Sequence, residues 1–234
     1  MQPVTRIQQN ILARSERRLL DWLCPRLPAW VKPDVLTAFG FFGALMTGFG
    51  TALAFYDRDW LWLGIAGYFV NWFGDSLDGS LARFRGKERP LFGYFIDHST
   101  DALAMAVIAA GFGISPWVRT DVALVTLAAY YLLAIHTFLA ARLVAEFRLS
   151  YLAAGPTEFR IALIALSLWM FATPPGDVAL RLWGRENFSQ FDVVLSILAI
   201  VLLCLFIGQT YSTARHLAER ERQNRRERAL ADKS

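Results

Sequence analysis

The chain has 234 residues, of which 55% are hydrophobic and only 19% are charged, and its mean hydropathy is +0.35. Soluble globular domains carry roughly 25% charged residues, so this composition excludes an ordinary soluble enzyme and indicates a membrane protein. The net charge of +4 does not indicate nucleic-acid binding. The basic residues flank apolar segments, where anionic lipid headgroups are the expected counter-charge.

The first segment, residues 4–24, has the pattern of an amphipathic helix, with isoleucines and leucines on one side and arginines on the other. A helix of this kind lies in the membrane interface. Pro25, Pro28 and Pro33 follow it, and proline ends helical structure. The sequence therefore predicts a cytoplasmic, interfacial segment over residues 1–32.

Six apolar stretches follow, each close to the roughly 20 residues that a spanning helix needs. They run over about 34–56, 60–82, 93–113, 121–143, 158–174 and 190–212. The pattern predicts an all-α integral membrane protein with six transmembrane helices in one domain, residues 33–213. The charged tail, residues 214–234, is expected to continue the last helix into the cytosol.

The distribution of lysine and arginine predicts the orientation of these helices. With six spans, 19 of the 24 basic residues lie on the side that holds both termini and the loops 84–92 and 144–157. The loops on the opposite side hold four. Basic residues collect on the cytoplasmic side, so both termini are expected there, in what we expect to be a bacterial inner or cell membrane.

Four aspartates lie at the end of the second predicted span and the start of the third. They are Asp75, Asp78, Asp97 and Asp101. Spacings of three and four residues place each pair on one helical face, and a short loop would bring the two pairs together. Converging carboxylates repel one another, and a divalent cation with oxygen ligands, Mg²⁺ or Mn²⁺, would remove that repulsion. The sequence predicts a metal centre at the cytoplasmic ends of these two helices.

Two glycines and an arginine fit the same chemistry. Gly79 and Gly93 lack side chains, so a ligand could approach the backbone closely. Arg83 could hold a diphosphate with its planar guanidinium. Phosphoryl-type transfer depends mostly on positioning and on stabilisation of charge, and two metal ions are a common means of supplying both.

The aspartates belong to a longer pattern, Asp-x2-Asp-Gly-x2-Ala-Arg over 75–83 and Gly-x3-Asp-x3-Asp over 93–101. This pattern resembles the signature of the CDP-alcohol phosphatidyltransferases, although the spacer here has nine residues where the commonest form has eight. The resemblance implies a metal-dependent membrane enzyme that moves a substituted phosphate from a CDP-linked donor to an alcohol hydroxyl and releases CMP. It also implies six spans and a homodimer.

The resemblance implies a role for each matching residue. Asp75, Asp78 and Asp97 would bind a pair of metal ions, and Asp101 would be the general base and a further ligand. The residues that would line the cytidine-diphosphate site are Thr37, Asp75, Gly79, Ala82, Arg83 and Gly93. The partners implied are a CDP-linked lipid or alcohol, an alcohol or diacylglycerol acceptor, and membrane lipids.

The direction of transfer stays open at the level of sequence. CDP-diacylglycerol is the preferred donor, but Asp97-His98 and the segment 155–158 resemble parts of the choline and ethanolamine phosphotransferases, which transfer a headgroup to diacylglycerol. His98 would then assist catalysis or bind a lipid hydroxyl, or else be a hydrogen-bonded residue between helices. Glu158 and Arg160 would contact the acceptor or headgroup, or pair with Arg142 and Arg148.

Two non-enzyme classes compete with the transferase. A transporter would place its carboxylates near the bilayer midplane and carry structural repeats, but the aspartates lie at one face and no repeat is visible. An inactive membrane scaffold would have lost an aspartate or the arginine of the motif, and none is missing.

Three further assignments concern packing rather than chemistry. Glycines of the first span (Gly40, Gly43, Gly48 and Gly50) are expected to let helices pack closely. Asn71, one helical turn before Asp75, is expected to support the aspartates from behind. His136, in the middle of the fourth span, is expected to form a hydrogen bond between helices.

Overall fold

The computed structural model describes residues 5–7, 12–144, 146–148, 156–176, 178–182 and 185–231. Within these residues the fold is all-α, with short strands at two places. The helices are α1 (Ala13–Leu23), α2 (Pro33–Leu53), α3 (Leu61–Phe84), α4 (Pro90–Ile114), α5 (Thr120–Val144), α6 (Pro156–Ala172) and α7 (Gln190–Ala231). Single 3-10 turns, Cys24–Arg26 and Arg58–Trp60, precede α2 and α3.

The strands form two small sheets that the sequence pattern did not predict. β1 (Thr5–Ile7) pairs in parallel with β2 (Glu146–Arg148). β3 (Val178–Leu182) pairs antiparallel with β4 (Arg185–Ser189). The helix predicted over 4–24 is therefore wrong at Thr5–Ile7, whose backbone pairs with a distant segment instead of with its own next turn.

Helices α2 to α7 coincide with the six predicted spans, and within the described residues three of them are long and apolar enough to cross a membrane. These three are Pro33–Leu53, Thr120–Ala141 and Gln190–Arg226. By length and composition these helices indicate an integral membrane protein. The aspartates of α3 and α4 lower the hydropathy of those helices. α6 has 17 residues, which is about 25 Å of helix against a hydrocarbon core of roughly 30 Å.

In α2, large apolar side chains face outward and small side chains are buried, as expected for a helix in a bilayer. Phe42 and Phe49 of α2 are 54% and 61% exposed, whereas Ala44 and Thr47 are completely buried. Lipid solvates large apolar side chains, so helices in a membrane associate through close van der Waals packing of small residues. The same sorting explains why α2 contains four glycines.

Glycines bring the backbones of α2 and α3 into direct contact. A Cβ atom added at Gly67 would lie 2.5 Å from the backbone nitrogen of Thr47, and one added at Gly43 would meet the backbone of Asn71. Gly50 faces Gly64 in the same way. This close approach confirms the expected role of the α2 glycines. It also fixes the position of α3 along the axis of α2.

Gly48 extends this packing to α4, because a Cβ atom there would collide with Val107. On the other side of the bundle, His136 Nε2 of α5 lies 3.2 Å from Thr213 Oγ1 of α7, so the predicted hydrogen bond between helices is confirmed. Buried Asp192 accepts bonds from the backbone N–H groups of Arg119 (2.8 Å) and Ser189 (2.9 Å). These bonds hold the beginning of α7 against the segment that precedes α5.

Replacing Gly67 with alanine should loosen the α2–α3 contact, because the added methyl group has no space. Overpacking of this kind costs about 1–3 kcal/mol of stability. The measurement is the thermal unfolding midpoint of the purified protein in detergent. Gly208→Ala in α7 is the matched control, since no described atom lies within 4 Å of the added Cβ. Equal midpoints for the two variants would contradict the prediction.

Candidate active site

Asp78, near the end of α3, is held by two donors. The Thr37 hydroxyl of α2 donates to Asp78 Oδ2 at 2.6 Å, and the backbone N–H of Gly79 donates to Oδ1 at 2.5 Å. Thr37 lies one turn before Gly40, whose added Cβ would come within 3.1 Å of the backbone nitrogen of Asp75. The close packing of α2 on α3 is therefore what places Thr37 at the aspartates.

Asp75, one turn earlier, forms an ion pair with an arginine from α6. Arg160 Nη2 donates to Asp75 Oδ2 at 2.6 Å, and Arg160 Nε donates to Asn71 Oδ1 at 2.8 Å. Asn71 in turn donates from Nδ2 to the carbonyl of Gly40 at 3.0 Å. Asn71 thus supports Asp75 through Arg160. The guanidinium is bound by two α3 side chains that are one helical turn apart.

Arg160 pairs with Asp75, a partner that neither sequence-based alternative gave it. Its side chain is 13% exposed and that of Asp75 is 23% exposed, so the pair is sheltered rather than lying on the surface. The proposed pairing with Arg142 and Arg148 concerns side chains outside the described part of the structure. Glu158 Oε1 accepts a bond from the backbone N–H of Leu12 at 3.0 Å.

On α4, three side chains form a group that could hold a cation. Asp97, His98 and Asp101 each offer one ligand atom, and these atoms lie within 4.8 Å of one another. The His98 ring lies between two aromatic rings, edge-on to Tyr94 at 4.3 Å and stacked on Phe138 at 4.9 Å. These rings restrict the orientation of the imidazole, so it is held close to the carboxylates.

A narrow cleft joins the two helices. Its lining includes Thr37, Gly40, Asn71, Asp75, Asp78 and Asp101. Asp101 therefore belongs both to this cleft and to the α4 group. It lies close enough to Asp75, Asp78 and Asp97 for mutual electrostatic repulsion. A set of carboxylates with one imidazole fits a hard divalent cation, whose charge would offset that repulsion.

The motif glycines differ from the packing glycines of α2. An added Cβ at Gly79 would meet only the Arg83 guanidinium, at 3.4 Å, and one at Gly93 would meet no described atom within 4 Å. Arg83 is exposed and donates to Ser80 Oγ at 3.1 Å. Ala82 is half-buried beside it. The outer part of the motif therefore borders open space, where a ligand could lie against the backbone.

The sequence model of the CDP-alcohol phosphatidyltransferases matches residues 30–217, which is most of the chain. The chain belongs to this family. The resemblance carried by residues 75–101 is thereby confirmed. Enzymes of this family use a CDP-linked alcohol, an alcohol acceptor and divalent metal ions.

Two relatives with assigned activities match part of the chain. A phosphatidylinositol phosphate synthase from Cutibacterium acnes is 38% identical over 87 residues, which is 36% of this chain and 39% of the relative. An archaetidylinositol phosphate synthase from Pyrococcus horikoshii is 36% identical over 102 residues, which is 44% of this chain and 51% of the relative. The alignments thus span about two-fifths and one-half of these relatives.

Two features of the site could not be inferred from the sequence. The ion pair of Arg160 with Asp75 joins residues 85 positions apart. The only signal was a lone arginine among apolar residues, which needs a carboxylate if it is buried. Glu16 of α1 contacts α3 beside Asp75, and nothing in the pattern distinguished it from a solvated acid on an amphipathic helix.

Replacing Arg160 with methionine should leave Asp75 as an unpaired, sheltered carboxylate, which costs about 3–5 kcal/mol when the pair is buried. The thermal unfolding midpoint in EDTA should fall, and Mg²⁺ should raise it more than in the wild type because repulsion among the aspartates has increased. Arg215→Met is the control. Its ion pair with Glu219 is exposed (70% and 56%) and is worth at most about 1 kcal/mol. Similar midpoints for both variants would contradict the assignment.

Proposed function

We propose that the protein transfers a phosphatidyl group from CDP-diacylglycerol to the hydroxyl of a polar alcohol and releases CMP. The observation that carries the proposal is the convergence of four aspartates from α3 and α4 beside an open, glycine-lined surface. The two relatives are named as synthases of inositol phosphate lipids. An inositol phosphate is therefore the first acceptor to test.

In this proposal Asp101 is the general base. Its carboxylate takes the proton of the acceptor hydroxyl while the hydroxyl oxygen forms a bond to the phosphorus attached to diacylglycerol. The bond from that phosphorus to the oxygen of CMP breaks, and CMP leaves with the electron pair. The position of Asp101 supports this role because it borders both the cleft and the α4 group.

Asp75, Asp78 and Asp97 are proposed to hold Mg²⁺ or Mn²⁺, as two ions, with Asp101 as a further ligand. Bound divalent ions would neutralise charge on the diphosphate while the phosphatidyl group is transferred and CMP leaves. Asp78 is oriented by Thr37, and Asp75 by Arg160. His98 contributes a ligand atom to the α4 group or binds a hydroxyl of the lipid.

The cytidine diphosphate is proposed to lie along the outer turn of α3. Gly79 and Gly93 leave space for it, and Ala82 adds only a methyl group. The exposed guanidinium of Arg83 can form paired bonds with a diphosphate. Thr37 and Asp75 form the inner boundary of this site.

We further propose that α2 to α7 all span the membrane, with the site at the cytoplasmic ends of α3 and α4. The domain limits would be 1–32, 33–213 and 214–234, and the chain would form a homodimer. Support comes from the basic residues around 84–92 and from α1. This amphipathic helix lies against the same end of α3, where Leu20 packs with Leu77 and Leu81.

A second candidate reaction is transfer of phosphoethanolamine or phosphocholine from its CDP ester to diacylglycerol. The feature that favours it is His98 directly after Asp97, held beside the aspartates. Gly155, part of the other local similarity, lies outside the described residues. The two reactions differ in the donor, so a donor panel separates them.

Purified protein with Mg²⁺ and CDP-diacylglycerol should release CMP when an acceptor is supplied from a panel that includes inositol phosphate, glycerol phosphate and serine. EDTA should abolish release, and added Mg²⁺ should restore it. Asp101→Asn should lower kcat by about 10²–10⁴, the usual contribution of a general base. Asp59→Asn, in the loop before α3, should be unaffected.

Several outcomes would decide between the proposals. Release only with CDP-ethanolamine or CDP-choline and diacylglycerol would make the second reaction correct. No CMP with any pair, together with identical behaviour of Asp101→Asn and wild type, would favour a transporter or an inactive scaffold.

The proposed topology can be tested with single cysteines in a chain whose Cys24 and Cys204 have been replaced by alanine. A membrane-impermeant maleimide should label Lys87→Cys only from the cytoplasmic side and Asp57→Cys only from the opposite side. Both positions are exposed loop residues. Labelling of both from the same side would exclude a complete crossing by α3.

A further inference from the structure

Glu16 of the amphipathic helix α1 binds three side chains from two other helices. Its Oε1 atom accepts bonds from Trp72 Nε1 at 3.0 Å and from Ser76 Oγ at 2.8 Å, both on α3. Its Oε2 atom accepts a bond from Thr157 Oγ1 at 2.9 Å, in the first turn of α6. One carboxylate thus links α1, α3 and α6, and both of its oxygens are used.

These bonds lie next to the ion pair of the active site. Ser76 directly follows Asp75, and Thr157 lies three residues before Arg160, so the two links are close to the two members of the pair. Glu16 is also close enough to Arg160 to interact with its charge. The distance between α3 and α6 at this height therefore depends on Glu16 as well as on the ion pair.

A second contact holds α1 to the same end of α6. The backbone N–H of Leu12 donates to Glu158 Oε1 at 3.0 Å. Around Glu16, the basic residues Arg14, Arg17 and Arg18 are exposed, whereas Glu16 itself is half-buried. Glu16 therefore faces the helix bundle, in contrast to the solvated face of α1.

We propose that Glu16 is a positioning residue for the transfer reaction. It holds the start of α6 at the level along α3 where Arg160 orients Asp75. Without it, Thr157 and Ser76 lose their common acceptor and α6 can shift relative to α3. Arg160 would then no longer hold the Asp75 carboxylate in one orientation. This inference rests on the proposed function, but the cation-binding part of its test does not require turnover.

Three variants separate geometry from charge. Glu16→Ala removes all three bonds, whereas Glu16→Gln can keep them. Its amide oxygen accepts from Trp72 and Ser76, and its amide nitrogen can donate to the Thr157 hydroxyl. Asp21→Asn is the matched control, because Asp21 is an exposed acid on the same helix and loses the same charge.

Glu16→Ala should lower kcat by roughly 10- to 100-fold, the usual effect of removing a group that orients a metal ligand, with little change in KM for the CDP-linked donor. Mn²⁺ binding, measured by electron paramagnetic resonance on protein in nanodiscs, should weaken by a similar factor. Glu16→Gln should stay within about threefold of wild type in both measurements, because the supporting geometry is kept. Asp21→Asn should match wild type.

Equal kcat and Mn²⁺ affinity for Glu16→Ala and wild type would overturn the inference. So would equal loss in Glu16→Ala and Glu16→Gln, because charge rather than geometry would then be responsible. If Glu16→Ala does not fold, Thr157→Val tests the link to α6 alone and should reproduce the loss of kcat and of Mn²⁺ affinity, while unchanged values in Thr157→Val overturn the inference.

The same measurements distinguish this inference from the proposed reaction. A wild type that releases no CMP, with Mn²⁺ binding that weakens in Glu16→Ala, would refute the reaction and support the positioning role. An active wild type with no effect of Glu16→Ala on either measurement would refute only the positioning role.

Discussion

Mutual repulsion of four carboxylates is the constraint on which the rest of this structure depends. Asp75, Asp78, Asp97 and Asp101 come together at the ends of two helices, where charge is poorly solvated. Each carboxylate of α3 is held by a donor from another helix, Asp78 by α2 and Asp75 by α6. Helices α2 and α6, which carry none of these four aspartates, thus fix the orientation of the two α3 carboxylates.

Glycine has two distinct uses in this chain, and the structure separates them. In the packed set, represented by Gly43 and Gly67, an added Cβ would collide with the neighbouring backbone. In the motif, Gly79 and Gly93 border space instead. The first set fixes the position of α3 along α2, and the second borders the space in which we propose that the diphosphate lies. Substitutions at the two sets should consequently fail in different ways, the first in folding and the second in binding.

Much of the fold and the core of the site could be predicted from sequence, because both depend on local patterns. Hydropathy located α2 to α7, and the spacing of the aspartates placed each pair on one helical face. The parallel pairing of Thr5–Ile7 with Glu146–Arg148 could not be predicted, because it joins segments that are far apart in the chain. The same holds for Arg160 and Glu16. Their side chains are ordinary in their own helices and acquire a role only through contacts with α3. The role of His98 and the choice of acceptor depend on bound substrate, which local pattern does not encode.

The backbone contact of α2 with α3 also restricts the path that the proposed lipid substrate could take. From Gly40 against Gly74 to Gly50 against Gly64, the two helices approach so closely that only short side chains such as those of Thr47 and Thr51 lie between them. An acyl chain therefore has no gap through which to slide from the bilayer between these helices to the aspartates. Under the proposed function, a lipid would have to approach the cleft from a side other than the α2–α3 contact. Mutations that widen or block such a route should change which acyl chains the protein accepts, whereas mutations at the α2–α3 contact should not.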